Sequence, residues 1–176
     1  MDFDRAEQVV MIWPCRLLGS AFTLMLILFS KDAQAWEGVV RGVHDGDTIL
    51  VAPHGAPHGN LAVRLYGIDA PELDQPGGEN SRDALQRLVQ PGETVNVVPL
   101  AEDRHNRVIG LIVRDELILN YELIRQGHAW VYPMYCKARF CREWNHAEEE
   151  ARKTRTGLWD SATPTPPWDW RKQGRK

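Results

Sequence analysis

The chain has 176 residues, of which 43% are hydrophobic and 26% are charged, the ordinary balance of a globular protein with a sizeable core. Its formal net charge of −3 argues against a protein that attracts nucleic acid through a general positive field. Any anionic ligand must therefore be held by a local cluster of basic residues.

The first 35 residues have the features of a secretory signal peptide. Residues 17–29 are almost purely apolar but too short to span a membrane comfortably, Arg16 precedes them, and an A-x-A cleavage pattern stands at 33–35. We expect cleavage before Trp36 and export to the periplasm or the extracellular space. Because acidic residues are unusual at the start of a signal, we expect the true start to be Met11. An uncleaved membrane anchor is the alternative.

Beyond this segment, apolar periodicity and turn residues predict five strands and three helices. The strands are predicted at 36–43, 48–52, 60–66, 94–100 and 108–114. The helices are predicted at 80–89, at 120–126 with Asn120 as the N-cap, and at 141–155, where Trp144, Ala147 and Ala151 share one side.

This order of elements predicts a small barrel. Three strands, a helix, two strands and further helices fit a five-stranded Greek-key barrel with helices packed on it, the α+β arrangement called the OB-fold. We assign residues 36–160 to this domain. Residues 161–176 are rich in proline and then basic, which predicts an extended and mostly solvated C-terminal tail. Trp168 and Trp170 could fix this tail to the barrel.

Acidic residues cluster near two predicted strands. Asp45 and Asp47 stand at the start of the second strand, and Asp69 and Glu72 follow the third. Several carboxylates brought close together need a metal ion or cationic partners, since they otherwise raise one another's pKa. Hard cations such as calcium prefer oxygen ligands of this kind. The alternative is structural, a hairpin turn and a solvated loop.

Two arginines accompany these acids. Arg64 is on the third strand and Arg107 lies just before the fifth. Guanidinium groups match phosphate oxygens through paired hydrogen bonds, so acids, a metal and two arginines together predict phosphoryl chemistry. The alternative is ordinary surface ion pairing with the same acids.

Two cysteines remain after the predicted cleavage. Cys136 and Cys141 are an even pair in a protein expected to be exported, which favours a disulfide. A metal site that uses them with His146 or His128 is the alternative.

Four motifs occur in a recognisable order: DGDT at 45–48, VRLYGIDAPE at 63–72, DRHNR at 103–107, and LIRQGHAWVY followed by GLW at 157–159. In order and spacing they resemble the staphylococcal nuclease (thermonuclease) family, and the resemblance covers residues 36 to about 159. It implies an OB-fold barrel with three helices and calcium-dependent hydrolysis of phosphodiester bonds in DNA and RNA.

The resemblance also implies roles at a metal site. Asp47, Asp69 and the backbone carbonyl of Ala70 would bind one Ca²⁺ ion, and Asp45 would act through water. The implied partners are DNA and RNA substrates, without a stable protein partner, and the protein is expected to be a monomer.

Three residues are implied to be catalytic. Glu72 would orient or deprotonate the attacking water, while Arg64 and Arg107 would clamp the phosphate and stabilise the transition state. Two readings without chemistry stay open: a nucleic-acid-binding module that has kept only the barrel, and a structural or adhesion domain that uses calcium for stability.

The chain departs from the family at the second arginine. The family often has Tyr-Gly there, whereas this chain has His105 and Asn106. Arg104 and His105 are candidate substrate-binding residues, as are Tyr132 and Tyr135, which fall near the family's base-stacking tyrosines. Aromatic rings hold bases without sequence preference. Packing in the core or against the disulfide loop is the alternative for both tyrosines.

Overall fold

The computed structural model describes residues 34–55, 59–105 and 107–174. The predicted signal peptide falls almost wholly on residues 1–33, outside these ranges. In chain order the elements are β1 (Trp36–Asp45), β2 (Thr48–Pro53), β3 (Leu61–Leu65), β4 (Ile68–Asp69), α1 (Gly78–Leu88), β5 (Thr94–Glu102), β6 (Val108–Arg114), β7 (Leu117–Ile118), α2 (Leu119–Arg125), β8 (Trp130–Val131), α3 (Cys141–Lys153), a 3-10 turn (Gly157–Asp160) and α4 (Pro167–Gln173).

Five strands close into a barrel. The strand order is β3-β2-β1-β5-β6, and a parallel pairing of β3 with β6 joins the two edges, which leaves no open edge between them. The hairpin partner β7 extends β6, and the short strands β4 and β8 pair with each other outside the barrel. The predicted five-stranded OB-fold barrel is confirmed.

The barrel interior is filled by alternate residues of its strands. Val40, Val51 and Val63 have no exposed surface, and neither do Val97 and Ile112. Helices α1 and α3 add apolar faces at helical spacing, and Trp144, Ala147 and Ala151 are buried on one side of α3 as predicted. Each core residue of this kind contributes about 1.5–3 kcal/mol by burial, so the barrel is a stable platform for loops.

The helices differ from the prediction in two respects. Within the described residues there are four α-helices rather than three, because residues Pro167–Gln173 of the predicted extended tail form α4. Pro167 begins α4 at a position where its missing N–H has no helical partner to lose. None of the helices in the described ranges has the length and apolar character needed to cross a membrane.

Asn120 does not cap its helix. Helix α2 begins at Leu119 with Ile118 at the cap, and Asn120 lies inside the first turn. Its buried side chain accepts a hydrogen bond from Ile112 N and donates to the carbonyls of Tyr66 and Gly110. The prediction of a capping role is therefore wrong, since tertiary partners take the amide that a local cap would have used.

A disulfide closes the loop before α3. Cys136 and Cys141 are bonded, which confirms the predicted pair and excludes the alternative metal site on these sulfurs. The bridge packs on the turn between β3 and β4. Gly67 has a φ of 74° there, and a Cβ at this position would approach Cys136 Sγ to 2.9 Å. Glycine meets both demands of this turn.

Candidate active site

A tight hairpin and a neighbouring loop bring the first acids together. Asp45 pairs with Thr48 at the end of the β1–β2 hairpin, so Gly46 and Asp47 form its turn. A Cβ on Gly46 would come within 2.8 Å of Cβ atoms of both Ala70 and Ser81, so only glycine lets the turn lie this close. Asp47 Oδ2 accepts a hydrogen bond of 2.7 Å from Ala70 N, which joins the hairpin to the loop.

Asp69 is fixed by the small β4–β8 ladder. It pairs with Trp130 across the two strands and is completely buried. The neighbouring backbone contact from Tyr132 N to Gly67 O measures 2.8 Å and extends this ladder. The two-residue strands are too short to show periodicity in the sequence, yet they set the position of a predicted metal ligand.

Arg64 links Asp47 to Asp69. It pairs with Thr48 in the β2–β3 register, which directs it to the turn at Asp47. Arg64 Nη1 contacts Asp47 Oδ1, and Arg64 Nη2 lies 2.9 Å from Asp69 Oδ1. The two carboxylates therefore share one guanidinium, and the structure brings them together around a single positive group.

Glu72 is joined to this group by a residue that the sequence analysis missed. Arg171 of α4 places Nη1 at 2.6 Å from Glu72 Oε1 and Nη2 at 2.7 Å from Asp69 Oδ2. Its Nη1 also lies 3.2 Å from Asp69 Oδ1. In the sequence Arg171 is marked only as a basic residue near Trp168 and Trp170, in a segment predicted to be a mostly solvated tail.

Burial raises the pKa of two carboxylates in this group, and the carboxylates outnumber the guanidiniums that contact them. Loss of water raises the pKa of Asp47 to about 7, although the Arg64 charge acts in the opposite direction. Burial also raises the pKa of Asp69, against hydrogen bonds and charges from Arg171 and Arg64. Three carboxylates, those of Asp47, Asp69 and Glu72, face only two guanidiniums, so one more positive charge would be favourable.

The chemistry of these donors suits a hard cation. They are carboxylate oxygens, the ligands that Ca²⁺ prefers, and the buried carboxylates keep raised pKa values despite their arginine partners. Within the described ranges, no group of three or more His, Cys, Asp or Glu side chains is arranged as a metal site. The guanidiniums of Arg64 and Arg171 hold the oxygens that such a site would use, and a cation would have to displace them.

Arg107 lies just before β6, which pairs with β3, the strand that carries Arg64. The parallel register sets Val108 opposite Val63, so Arg107 immediately precedes that pairing. Its Nε donates to Asp103 Oδ2 at 2.7 Å, and its backbone N–H donates to Asp103 Oδ1. In the described part of the chain, this guanidinium pairs with Asp103 and is not drawn into the acidic group.

The other two candidates in this loop are exposed. Arg104 Nε donates to His105 Nε2 over 3.3 Å, and His105 N donates to Asp103 Oδ1. Asp103 thus organises the turn through its carboxylate. Although partial desolvation acts the other way, hydrogen bonds from Arg107 and His105 hold the pKa of Asp103 at about 2.

The two candidate tyrosines are neighbours beside β8. The rings of Tyr132 and Tyr135 meet edge to face with centroids 4.8 Å apart. Tyr135 is 54% exposed, which argues against core packing for this ring. The face of Tyr132 is stacked by Trp168 at 5.3 Å and an interplanar angle of 7°. The indole from α4 thus covers a ring face on which the predicted base stacking would take place.

Several known proteins are similar in sequence to this chain. Residues 62–161 match the family described as Staphylococcal nuclease homologue. An "Uncharacterized endonuclease" of Escherichia coli is 37% identical over 151 residues, which cover 84% of this chain and 94% of the relative. Its counterpart in Haemophilus influenzae is 32% identical over 157 residues, 89% of this chain and 85% of the relative.

Plant relatives are similar over a shorter stretch. The "Staphylococcal-like nuclease CAN1" of Arabidopsis thaliana is 38% identical over 113 residues, which cover 64% of this chain and 34% of the relative. The chain spans about a third of the length of such plant relatives, between 29% and 44% for four of them.

Proposed function

Because the chain belongs to the staphylococcal nuclease family, we propose that it is a nuclease that hydrolyses phosphodiester bonds of DNA and RNA with one Ca²⁺ ion. The observation that carries this proposal is the gathering of three carboxylates. Asp47 and Asp69 share Arg64, while Asp69 and Glu72 share Arg171. A largely buried group of carboxylates with too few positive partners contributes little to the stability of a barrel, which favours a functional role.

The metal-binding residues of this proposal are the ones that the family resemblance implies. Asp47, Asp69 and the Ala70 carbonyl would hold the ion, with Asp45 acting through water. When bound, the ion would polarise the phosphoryl oxygen and offset the developing negative charge. Asp45 is already oriented, since its Oδ1 accepts a hydrogen bond of 3.0 Å from Asp47 N.

The chain's own side chains would carry the remaining steps. Glu72 would align a water for in-line attack on phosphorus and accept its proton. Arg64 and Arg107 would bind the phosphate oxygens and stabilise the charge of the transition state. Each arginine must exchange a carboxylate for the phosphate, because Arg64 pairs with Asp47 and Asp69 and Arg107 with Asp103.

Two substitutions test the catalytic assignment. We expect Glu72→Gln and Arg107→Ala each to lower cleavage of single-stranded DNA by about 10²-fold or more, because each removes a group that acts on the transition state. Initial rates with calcium, and then with a chelator, measure the effect. Circular dichroism should show an unchanged fold.

Exposed residues on the helices supply matched controls. Glu79→Gln on α1 and Arg142→Ala on α3 make the same chemical changes at exposed positions. Both should cleave at the wild-type rate. Wild-type-like rates for Glu72→Gln and Arg107→Ala would refute the assigned roles. Calcium-dependent binding of DNA without cleavage by the wild-type protein would instead identify a binding module.

Export remains part of the proposal. A signal peptide that ends before Trp36 would deliver the domain to the periplasm or the extracellular space, and the Cys136–Cys141 disulfide suits an oxidising compartment. Mass spectrometry of the protein recovered from its producing cell tests this. A mature chain that still carries residues 1–35 would contradict cleavage.

A further inference from the structure

The C-terminal segment 161–174, called here the strap, is held against the acidic site at several points. The buried side chain of Gln75, in the loop after Glu72, donates from Nε2 to the carbonyl of Thr165 over 2.6 Å. Prolines limit the backbone freedom of this stretch, and Pro167 is buried as α4 begins. The strap therefore contacts the loop that carries Glu72.

Arg171 of the strap occupies the oxygens that the proposed reaction needs. Its guanidinium makes two hydrogen bonds to Asp69 and one to Glu72, so it spans the gap between the two carboxylates. A cation that binds these oxygens would compete with the guanidinium for their lone pairs and for the space beside them.

Trp168 of the strap covers the neighbouring aromatic surface. Its ring is parallel to that of Tyr132, at an angle of 7° and a centroid distance of 5.3 Å. A nucleic-acid base would stack on Tyr132 with much the same geometry. Trp168 and Arg171 are three residues apart on α4, so a single helical turn presents an aromatic ring and a cation together.

We propose that the strap is an autoinhibitory segment that occupies the active site and must leave it before a cation and a nucleic acid can bind. Arg171 takes the place of the cation, and Trp168 takes the place of a base. This inference rests on the proposed nuclease function. It goes beyond that function because it makes access to the site depend on the position of a separate segment.

The contacts of the strap suit a reversible inhibitor. The Arg171 side chain is 32% exposed, and Glu72 is 39% exposed, so solvent reaches the ion pair and weakens it. A ligand that binds only the open form displaces the strap by mass action. Its apparent affinity is reduced by the fraction of molecules in which the site is open.

Cation binding tests the proposal without any reliance on cleavage. Calorimetric titration of Arg171→Ala with Ca²⁺ should show about 10- to 100-fold tighter binding than wild type, if the strap covers the site in about 90–99% of molecules. Lys172→Ala is the matched control. It removes the same charge from α4, but Lys172 pairs with Asp169 on that helix and not with the acidic site. Equal or undetectable Ca²⁺ binding in wild type and Arg171→Ala would overturn the proposal.

Hydrogen exchange separates displacement of the strap from a simple change of charge. Addition of Ca²⁺ to the wild-type protein should increase amide exchange in residues 164–174, because the strap is released. Unchanged or slower exchange in this segment would overturn the proposal, since it would mean that the cation and the strap bind together.

Cleavage supplies a third readout. At limiting Ca²⁺, Arg171→Ala should cleave single-stranded DNA several-fold faster than wild type, and Lys172→Ala should not. The advantage should shrink as Ca²⁺ approaches saturation. A loss of cleavage in Arg171→Ala would overturn autoinhibition and make Arg171 a substrate-binding group. If no protein cleaves although the binding and exchange results hold, the proposed function fails and the occupation of the site by the strap stands.

Discussion

Arg64 shows how one side chain holds the site in order. Its guanidinium satisfies the buried carboxylates of Asp47 and Asp69, and its Nη1 also lies 3.3 Å from the carbonyl of Asp47. Removal of this arginine would leave two buried acids with less compensation, which is strongly destabilising. A loss of activity on substitution of Arg64 therefore mixes catalysis with stability, and Glu72 and Arg107 are better probes of chemistry.

Asp103 gives a pH-dependent prediction. Its folded-state pKa of about 2 lies below the usual value of 3.8, so its contribution to stability is present above about pH 4 and is lost as the pH falls towards 2. Asp103→Asn should lower the free energy of unfolding by about 1 kcal/mol at pH 5–8, after allowance for solvent screening on this turn. The difference should vanish near pH 2. Urea denaturation at about pH 7, 4, 3 and 2 measures it.

A matched control uses another surface aspartate. Asp83→Asn on α1 changes a carboxylate that pairs with Arg82 and is 49% exposed. Its effect on the free energy of unfolding should stay within about 0.5 kcal/mol. A pH-independent deficit in Asp103→Asn would contradict the prediction, because it would point to lost packing and not to a lost ionised group.

At this scale the sequence predicted the identities of the acids but not their partners. Asp47, Asp69 and Arg64 were expected near one another, and they share contacts in the structure. Arg171 was missed because it lies 102 residues from Asp69 along the chain, and no local pattern reports a contact over that separation. The roles of Arg104 and His105 stay predictions.

Among the secondary-structure elements, α2 is anchored by its own asparagine. Asn120 bonds to backbone atoms of Ile112 and Gly110 in β6 and to the Tyr66 carbonyl just after β3. These two strands form the parallel pair that closes the barrel. One buried side-chain amide therefore connects α2 to the two strands whose pairing closes the barrel.

Loss of this amide should be costly. We expect Asn120→Ala to lower the free energy of unfolding by about 2–4 kcal/mol, because several buried backbone groups lose their partners. Asn145→Ala is the control, since Asn145 is exposed on α3 and its side chain donates to the Cys141 carbonyl one turn earlier in the same helix. It should cost less than about 1 kcal/mol. Equal losses in urea denaturation of the two variants would contradict the prediction.

The longer elements were predictable because their pattern is local. The helix predicted at 80–89 spans Gly78–Leu88, and the strand predicted at 108–114 has those same ends. The two-residue strands β4, β7 and β8 and the seven-residue helix α4 escaped prediction. Such short elements owe their form to tertiary partners, since isolated turns of this length are unstable in water.

For the molecule as a whole, the modest charge limits how nucleic acid is held. With a net charge of −3, substrate binding must depend on a few basic side chains near the site. Each phosphate neutralised on a single strand contributes about −0.7 to the slope of log K against log salt concentration. Two or three contacts give an expected slope of about −1.4 to −2.1.

Fluorescence anisotropy with labelled single-stranded DNA can measure this slope. Glu72→Gln at a fixed calcium concentration supplies a protein that we expect to cleave its probe at least about 10²-fold more slowly than wild type. Arg104→Ala in that background should reduce the slope by about 0.7, whereas Lys153→Ala, which pairs with Glu150 on α3, should not change it. A slope steeper than about −4 would show that a broad basic surface takes part.

The small β4–β8 ladder has a consequence for how a substrate would be cut. It carries Asp69 on one strand and leads directly into Tyr132 on the other, with Tyr132 N bonded to Gly67 O. Asp69 and Tyr132, for which we propose metal binding and base stacking, are therefore held at a fixed separation by one short ladder. A strand held by a base at Tyr132 would then be cut at a constant number of nucleotides from that base, whatever its sequence.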